Sequence, residues 1–267
     1  MDEVLRSDRE SSQTITKAFC VGQAKSGTGS LYSLLARSYR AAHEPERPET
    51  FKMILRQSEG EIDTDSFDDY LRQRDRRLNL EYDIAWANQF IIDRLLTVFP
   101  EAKFIVLMRD PYSWLQSTVG HLITRQLPAE VPPFLDWWFK PEQYPHTSRD
   151  RALEAQGIYS LAALVNAWNQ HVKTCTQLIP PERCLILKTH ELNRSHQRIA
   201  DFLQIPLKTL DREKGHINQS TWNGRLDSLV DTNYISKVVN SMCAESMTRY
   251  FPNVSNAEDA YKLWNSN

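Results

Sequence analysis

Ala18-Phe19-Cys20-Val21-Gly22-Gln23-Ala24-Lys25-Ser26-Gly27-Thr28-Gly29-Ser30 carries an apolar run straight into a Gly/Ser-rich loop holding one lysine. Residues 18–22 read as a buried strand and residues 30–38 as the helix that follows. Gly22 and Gly27 have the spacing of a Walker A loop, but Thr28-Gly29 follows where that loop needs Lys and then Ser or Thr. The lysine sits earlier, at position 25. The amides of Ser26, Gly27, Thr28, Gly29 and Ser30 can still form an anion nest at a helix N-terminus, with Lys25 reaching over the same anion. The usual equipment for magnesium and a γ-phosphate is missing, so the loop suits a phosphate neutralised by lysine and amides alone. A structural Gly/Ser turn is the plainer alternative.

A second segment, Phe104-Ile105-Val106-Leu107-Met108-Arg109-Asp110-Pro111, ends another apolar strand in arginine, and Ser117 lies eight residues beyond Arg109. Pro111 suits the first turn of a helix. Arginine can fork onto phosphate oxygens and a serine hydroxyl can donate to the same group. Arg109 could instead pair with Asp110 or cap the sheet. Both segments should open at the carboxyl edge of a parallel sheet, where such folds bind ligands. Two phosphate sites on neighbouring strand ends point to a nucleotide phosphorylated at both ends.

Further strands are expected at 40–43, 78–82, 103–108 and 183–188, and helices at 84–99, 151–178, 195–203 and 234–250. This alternation predicts an α/β chain forming one domain over residues 1–267. Residues 44–60, charged and containing Pro45 and Pro48, read as a loop. Residues 127–148 hold five prolines around Trp137-Trp138-Phe139 and read as a lid insertion at about 127–150, or as a loop pinned to the surface by its own apolar residues.

The composition, 41% hydrophobic and 25% charged with net charge −2, is that of an ordinary soluble protein and offers no global attraction for nucleic acid or anionic membrane. The polar start from Met1 to Glu10 is unlike a secretory signal, and no apolar run is long enough to cross a bilayer. A cytoplasmic protein is therefore expected, its four cysteines reduced and lacking CxxC spacing. The Asn-x-Ser patterns at Asn193, Asn218 and Asn253 are then chance matches.

Together the two phosphate segments resemble the PAPS-dependent sulfotransferase family, in its soluble, bacterial small-molecule type. The family's P-K-S-G-T-T loop corresponds to Ala24 through Gly29, and its R-[N/D]-P turn and later serine to Arg109-Asp110-Pro111 and Ser117. Cys184 through Leu192 is similar to the family's strand and E-D-L turn, and Asp201-Phe202-Leu203-Gln204-Ile205-Pro206 to its F-L-G-[LI]-P. Ala24 and Gly29 depart from the pattern. The C-terminal R-K-G-x-x-G is not recognisable, leaving Lys214-Gly215-His216-Ile217-Asn218 and Arg225 as substitutes by position only.

The resemblance implies a three-layer P-loop-like fold with a central parallel sheet flanked by helices. It implies transfer of a sulfuryl group from PAPS (3′-phosphoadenosine 5′-phosphosulfate) to a hydroxyl, less readily an amine, of a small-molecule acceptor such as a natural product of secondary metabolism. Lys25 and the loop amides would neutralise the 5′-phosphate, Thr28 would contact it, Arg109 and Ser117 would hold the 3′-phosphate, and no metal would be required. The general base is expected to be Glu44, or else His43, with Asp83 and His121 in reserve. Glu44 could also be a solvated loop charge, and His121 structural. Trp137, Trp138 and Phe139 could stack on a flat or cationic acceptor. The alternatives are a P-loop-type nucleotide kinase and a non-catalytic nucleotide-binding protein.

Overall fold

The computed structural model describes residues 16–212 and 222–265. Five parallel strands, β1 (Ala18–Cys20), β2 (Ala41–His43), β3 (Tyr82–Ile84), β4 (Lys103–Met108) and β5 (Cys184–Lys188), lie in the order β2-β3-β1-β4-β5. Side chains alternate between the two faces. Phe19, Val21, Phe104, Val106 and Met108 enter one core, and Ala18, Cys20, Ile105 and Leu107 enter the other. Helices α1 (Thr28–Leu35) and α9 (His196–Leu203) cover the second face. The first is covered by a larger group that includes α5 (Pro111–Thr124), α8 (Leu161–Leu178) and α10 (Thr232–Tyr250). This is the three-layer α/β arrangement expected, with a strand–loop–helix unit at its centre.

The strand order positions the site. From β1 the chain moves to β2 and β3 on one side of the sheet, then crosses to β4 and β5 on the other. β1 therefore pairs with both β3 and β4, and the order reverses at the carboxyl end of β1. Open α/β sheets leave a crevice at such a point. The Lys25 loop and Arg109 leave adjacent strands there.

Several boundaries differ from expectation. Residues 44–60 are not a loop: α2 (Arg47–Ser58) starts with Pro48 in its first turn and buries Thr50, Phe51, Met53 and Ile54. Proline is compatible with that turn because its missing N–H has no partner there anyway. The same holds for α6 (Val131–Phe139), inside the proline-rich stretch, with Pro132 in its first turn. The segment 78–82 is divided, since α3 (Thr64–Leu78) ends with Asn79 in the left-handed region and β3 begins at Tyr82.

The single helix expected at 84–99 is also divided. Ile84 belongs to β3, and Asn88 turns its side-chain amide onto the carbonyls of Cys20 and Asp83. A 3₁₀ turn at Trp86–Phe90 precedes the short α4 (Ile92–Val98). The helix expected at 151–178 breaks at Gly157 (φ 67) into α7 (Arg151–Ala155) and α8, and Ser160 caps α8 through Ala163 N–H. The last helix, α11 (Ala257–Asn265), was not foreseen. Among the described residues no helix is long and apolar enough to cross a membrane.

Candidate active site

The loop after β1 is held from outside by its carbonyls. Ala24 O accepts from Trp114 Nε1 (2.9 Å), Lys25 O from Arg109 Nη1 (2.9 Å), and Ser26 O from Thr189 Oγ1 (2.7 Å). In a trans peptide the following N–H points the opposite way, so fixing these oxygens directs the Lys25 and Gly27 amides away from Trp114 and Thr189. Ser26 folds back with both N–H and Oγ on Gln23 O. Gly27 (φ 100) stands at the start of α1 in a conformation other residues rarely adopt. At Gly22 an added Cβ would lie 2.8 Å from both Leu107 Cβ and Ser26 Oγ. Gly27 has no side chain to cap α1, which leaves the first-turn amides, Thr28 to Ser30, as a group able to receive an anion.

Lys25 itself is half-buried with φ 69. Burial, and after it the positive charges of Arg109 and Arg125, push its ammonium below the usual lysine range. Burial also pushes Arg109 down to about 10, against the opposing pull of Asp110. Burial, with Lys25 and Arg125 as further causes, lowers His121 to about 4. Cations crowd one spot, and an anion there would relieve them.

Arg109 joins the two segments. Besides holding Lys25 O, it donates from Nε to Ser113 Oγ at 3.0 Å. Ser113 and Ser117 are one turn apart on α5 and share a face; Ser117 is buried. Beside Ser117, Gln116 clamps the chain at both Gly224 O and Leu226 N. Arg225 turns outward to Asp227 at 2.6 Å. Residues 214–218, the other positional substitutes, lie outside the described residues, as do Met1–Glu10 and the Asn218 pattern.

His43 and Glu44 leave β2, which is separated from β1 by β3, a span of roughly 10 Å at ordinary strand spacing. The crossover through α1 closes that span, and Thr28 Oγ1 lies 3.0 Å from His43 Nε2. Glu44 follows with φ 55, its Oε1 accepting from Trp86 N–H (3.1 Å) and lying 3.8 Å from His43 Nε2. Its Oε2 is buried without a hydrogen-bond partner among the described residues. Burial pushes the carboxyl up to about 8, with Asp83 adding to the rise and Trp86 N–H, Arg47 and Arg74 opposing it. Burial, with Arg47, keeps His43 below the usual histidine range. Asp83 is committed to a buried pair with Arg74 and accepts from Asn88.

Thus Lys25, Ser26, Gly27, Thr28, Gly29, Ser30 and Arg109 form one constellation, with His43 joined to it through Thr28 and Glu44 beside His43. Ser113, Arg125, Thr189 and Trp264 were missed. Thr189 lies within the quoted segment 184–192, whereas the others had no local signal because their roles arise from tertiary packing. All four cysteines are free thiols, and burial pushes Cys20 and Cys243 up to about 12.

A family model described as a sulfotransferase domain matches residues 17–214. The Ava biosynthesis cluster protein M of Aspergillus versicolor is 25% identical over 222 residues, 78% of this chain and 83% of that protein. A sulfotransferase from Alicyclobacillus acidocaldarius aligns at 17% identity and TM-score 0.48, over 89% of this chain and 94% of that one. A sulfotransferase from Mycobacterium avium aligns at 16% identity and TM-score 0.47, over 90% and 78%. The family model takes in more than half of the chain and both phosphate segments, and by that match the chain belongs to the sulfotransferase family.

Proposed function

We propose that the chain transfers a sulfuryl group from PAPS to a hydroxyl of a small-molecule acceptor. The observation that carries this is the Arg109 Nη1 bond to Lys25 O, which joins the two phosphate segments into one site. The donor supplies an activated sulfuryl group when bound. Its 5′ end suits the uncapped α1 amides, the backbone approach allowed by Gly22, and the crowded cations around Lys25. Its 3′-phosphate suits the planar edge of Arg109 together with Ser117.

Lys25, on the loop that leads into the α1 amides, neutralises charge developing on the departing phosphate. Glu44 Oε2 takes the acceptor's proton, since that oxygen is buried and uncommitted while Oε1 is anchored. His43 relays position between Glu44 and Thr28.

The acceptor would enter from the aromatic side. A cavity of about 360 Å³, within the range of small-molecule sites, is lined by Phe90, Trp137, Trp138, Tyr144 and Gln170 among others. Trp86 links it to the base: its N–H holds Glu44, and its ring lies 5.3 Å from that of Trp138. Segment 127–150 then forms the lid-side wall. The biosynthesis-cluster name of the Aspergillus relative supports a natural product as acceptor.

Calorimetry with adenosine 3′,5′-bisphosphate and with ATP, each with and without magnesium, tests the reading. Tight binding of the bisphosphate, indifferent to magnesium, is expected. Preference for ATP with magnesium would return the loop to the kinases.

A further inference from the structure

Trp264, near the end of the chain, makes three contacts with the segment that opens α5. Its ring lies 4.4 Å from the Arg109 guanidinium carbon, and its indole N–H reaches both Asp110 Oδ2 (3.0 Å) and Ser113 Oγ (2.9 Å). On another side His190 meets the indole edge-on, with ring centroids 6.2 Å apart. The helix that delivers it is firmly started: Asn256 Oδ1 accepts from the N–H groups of Glu258 and Asp259, and Tyr112 of α5 holds the entry through Ser255 O.

Arg109 is otherwise held by its edge. Nε is committed to Ser113 and one Nη1 hydrogen to Lys25 O. A guanidinium has five N–H donors in one plane and a face with none. The guanidinium carbon lies over the indole ring at 4.4 Å, which closes that side of Arg109, so the remaining donors are directed away from Trp264. A face-on aromatic ring also offsets part of the cost of burying the cation. The Trp264 N–H fixes Ser113, the residue one turn before Ser117, on the same edge of the site.

We propose that Trp264 is a positioning residue that aims Arg109 at the 3′-phosphate, making the C-terminal helix a selectivity element of the nucleotide site. This rests on the donor reading above. It assigns a role to a residue outside the matched family region.

Calorimetric dissociation constants for adenosine 3′,5′-bisphosphate and adenosine 5′-monophosphate, at one salt concentration, test it on the full chain. The parent protein should prefer the bisphosphate. Trp264→Ala should weaken the bisphosphate about tenfold, as expected for loss of a desolvated cation–π contact, and the monophosphate less than twofold. Trp264→Phe, which keeps a ring face but no N–H, should recover most of the preference. Trp264→Leu, which keeps apolar bulk without a ring, should not recover it and serves as the test if the alanine variant is unfolded. Equal weakening of both nucleotides, or parental preference in the leucine variant, overturns the proposal. Absence of any preference in the parent protein overturns the donor reading, and this inference falls with it.

Discussion

Glu44 combines a left-handed backbone with a carboxylate that burial pushes up to about 8. Residues held in such a conformation persist only where their surroundings enforce it, and here the Glu44 N–H bond to Ile84 O (3.0 Å) and the Trp86 N–H bond to Oε1 do so. As a base it must be ionised, so turnover should rise with pH and level off above about 8. Glu44→Gln should remove that limb and cost roughly 10²–10⁴-fold in kcat. A pH profile that is unchanged in the glutamine variant would remove Glu44 from the role. The same shift sets the direction of stability. Between the ordinary 4.5 and the folded value of about 8 the native state binds more protons, so stability falls as pH rises through that window. Glu44→Gln should therefore melt higher than the parent at pH 9 and close to it at pH 4, as read by circular dichroism. Lys25 and Arg109 were legible because glycine, proline and strand-end patterns marked their places. The Glu44 environment was not, since it depends on Trp86 from another strand's end.

At the scale of elements, proline was the misread signal. In α2 and α6 it sits in the first turn, where it starts a helix instead of preventing one. The apolar faces decide the matter. Phe134 of α6 is fully buried and stacks on Phe51 of α2 at 4.0 Å, while Trp138 packs on Trp86. Arg47 and Glu130 add an ion pair between the same two elements. Phe134→Ala should therefore lose about 3–5 kcal/mol in urea unfolding. Trp137→Ala, on the half-buried side of the same helix, should lose about 1 kcal/mol or less and instead raise KM for the acceptor. If the two substitutions cost the same stability, α6 is not anchored as described. β1 and β4 were legible because each is a short, buried apolar run, whereas β3, expected at 78–82, begins only at Tyr82, its apolar run interrupted by Asp83. The division of residues 84–99 was not, because the Asn88 bonds that replace helical ones reach across to β1.

Across the whole molecule, the proposed nucleotide site would draw on the loop after β1, the start of α5, Thr189 after β5 and Trp264 in the last helix, which contact one another. Residues widely separated in sequence meet because β1 lies between β3 and β4. A ligand spanning them can bind only when sheet, α5 and the C-terminal helix are all assembled, so it should stabilise the fold globally. At one hundred times its dissociation constant a single-site ligand adds about 2.7 kcal/mol, which for a chain of this size raises Tm by roughly 5–10 °C. Adenosine 3′,5′-bisphosphate should produce that shift in the parent protein. Arg109 ties Lys25 O, and on the donor reading proposed above it would also receive the 3′-phosphate in the complex. Arg109→Ala should therefore lower Tm without ligand and also lose most of the bisphosphate shift, while retaining the smaller shift given by adenosine 5′-monophosphate. A variant with lowered Tm but a full bisphosphate shift would make Arg109 a purely structural tie between the two segments, and the 3′-phosphate contact would then have to come from Ser117 and the chain clamped beside it by Gln116.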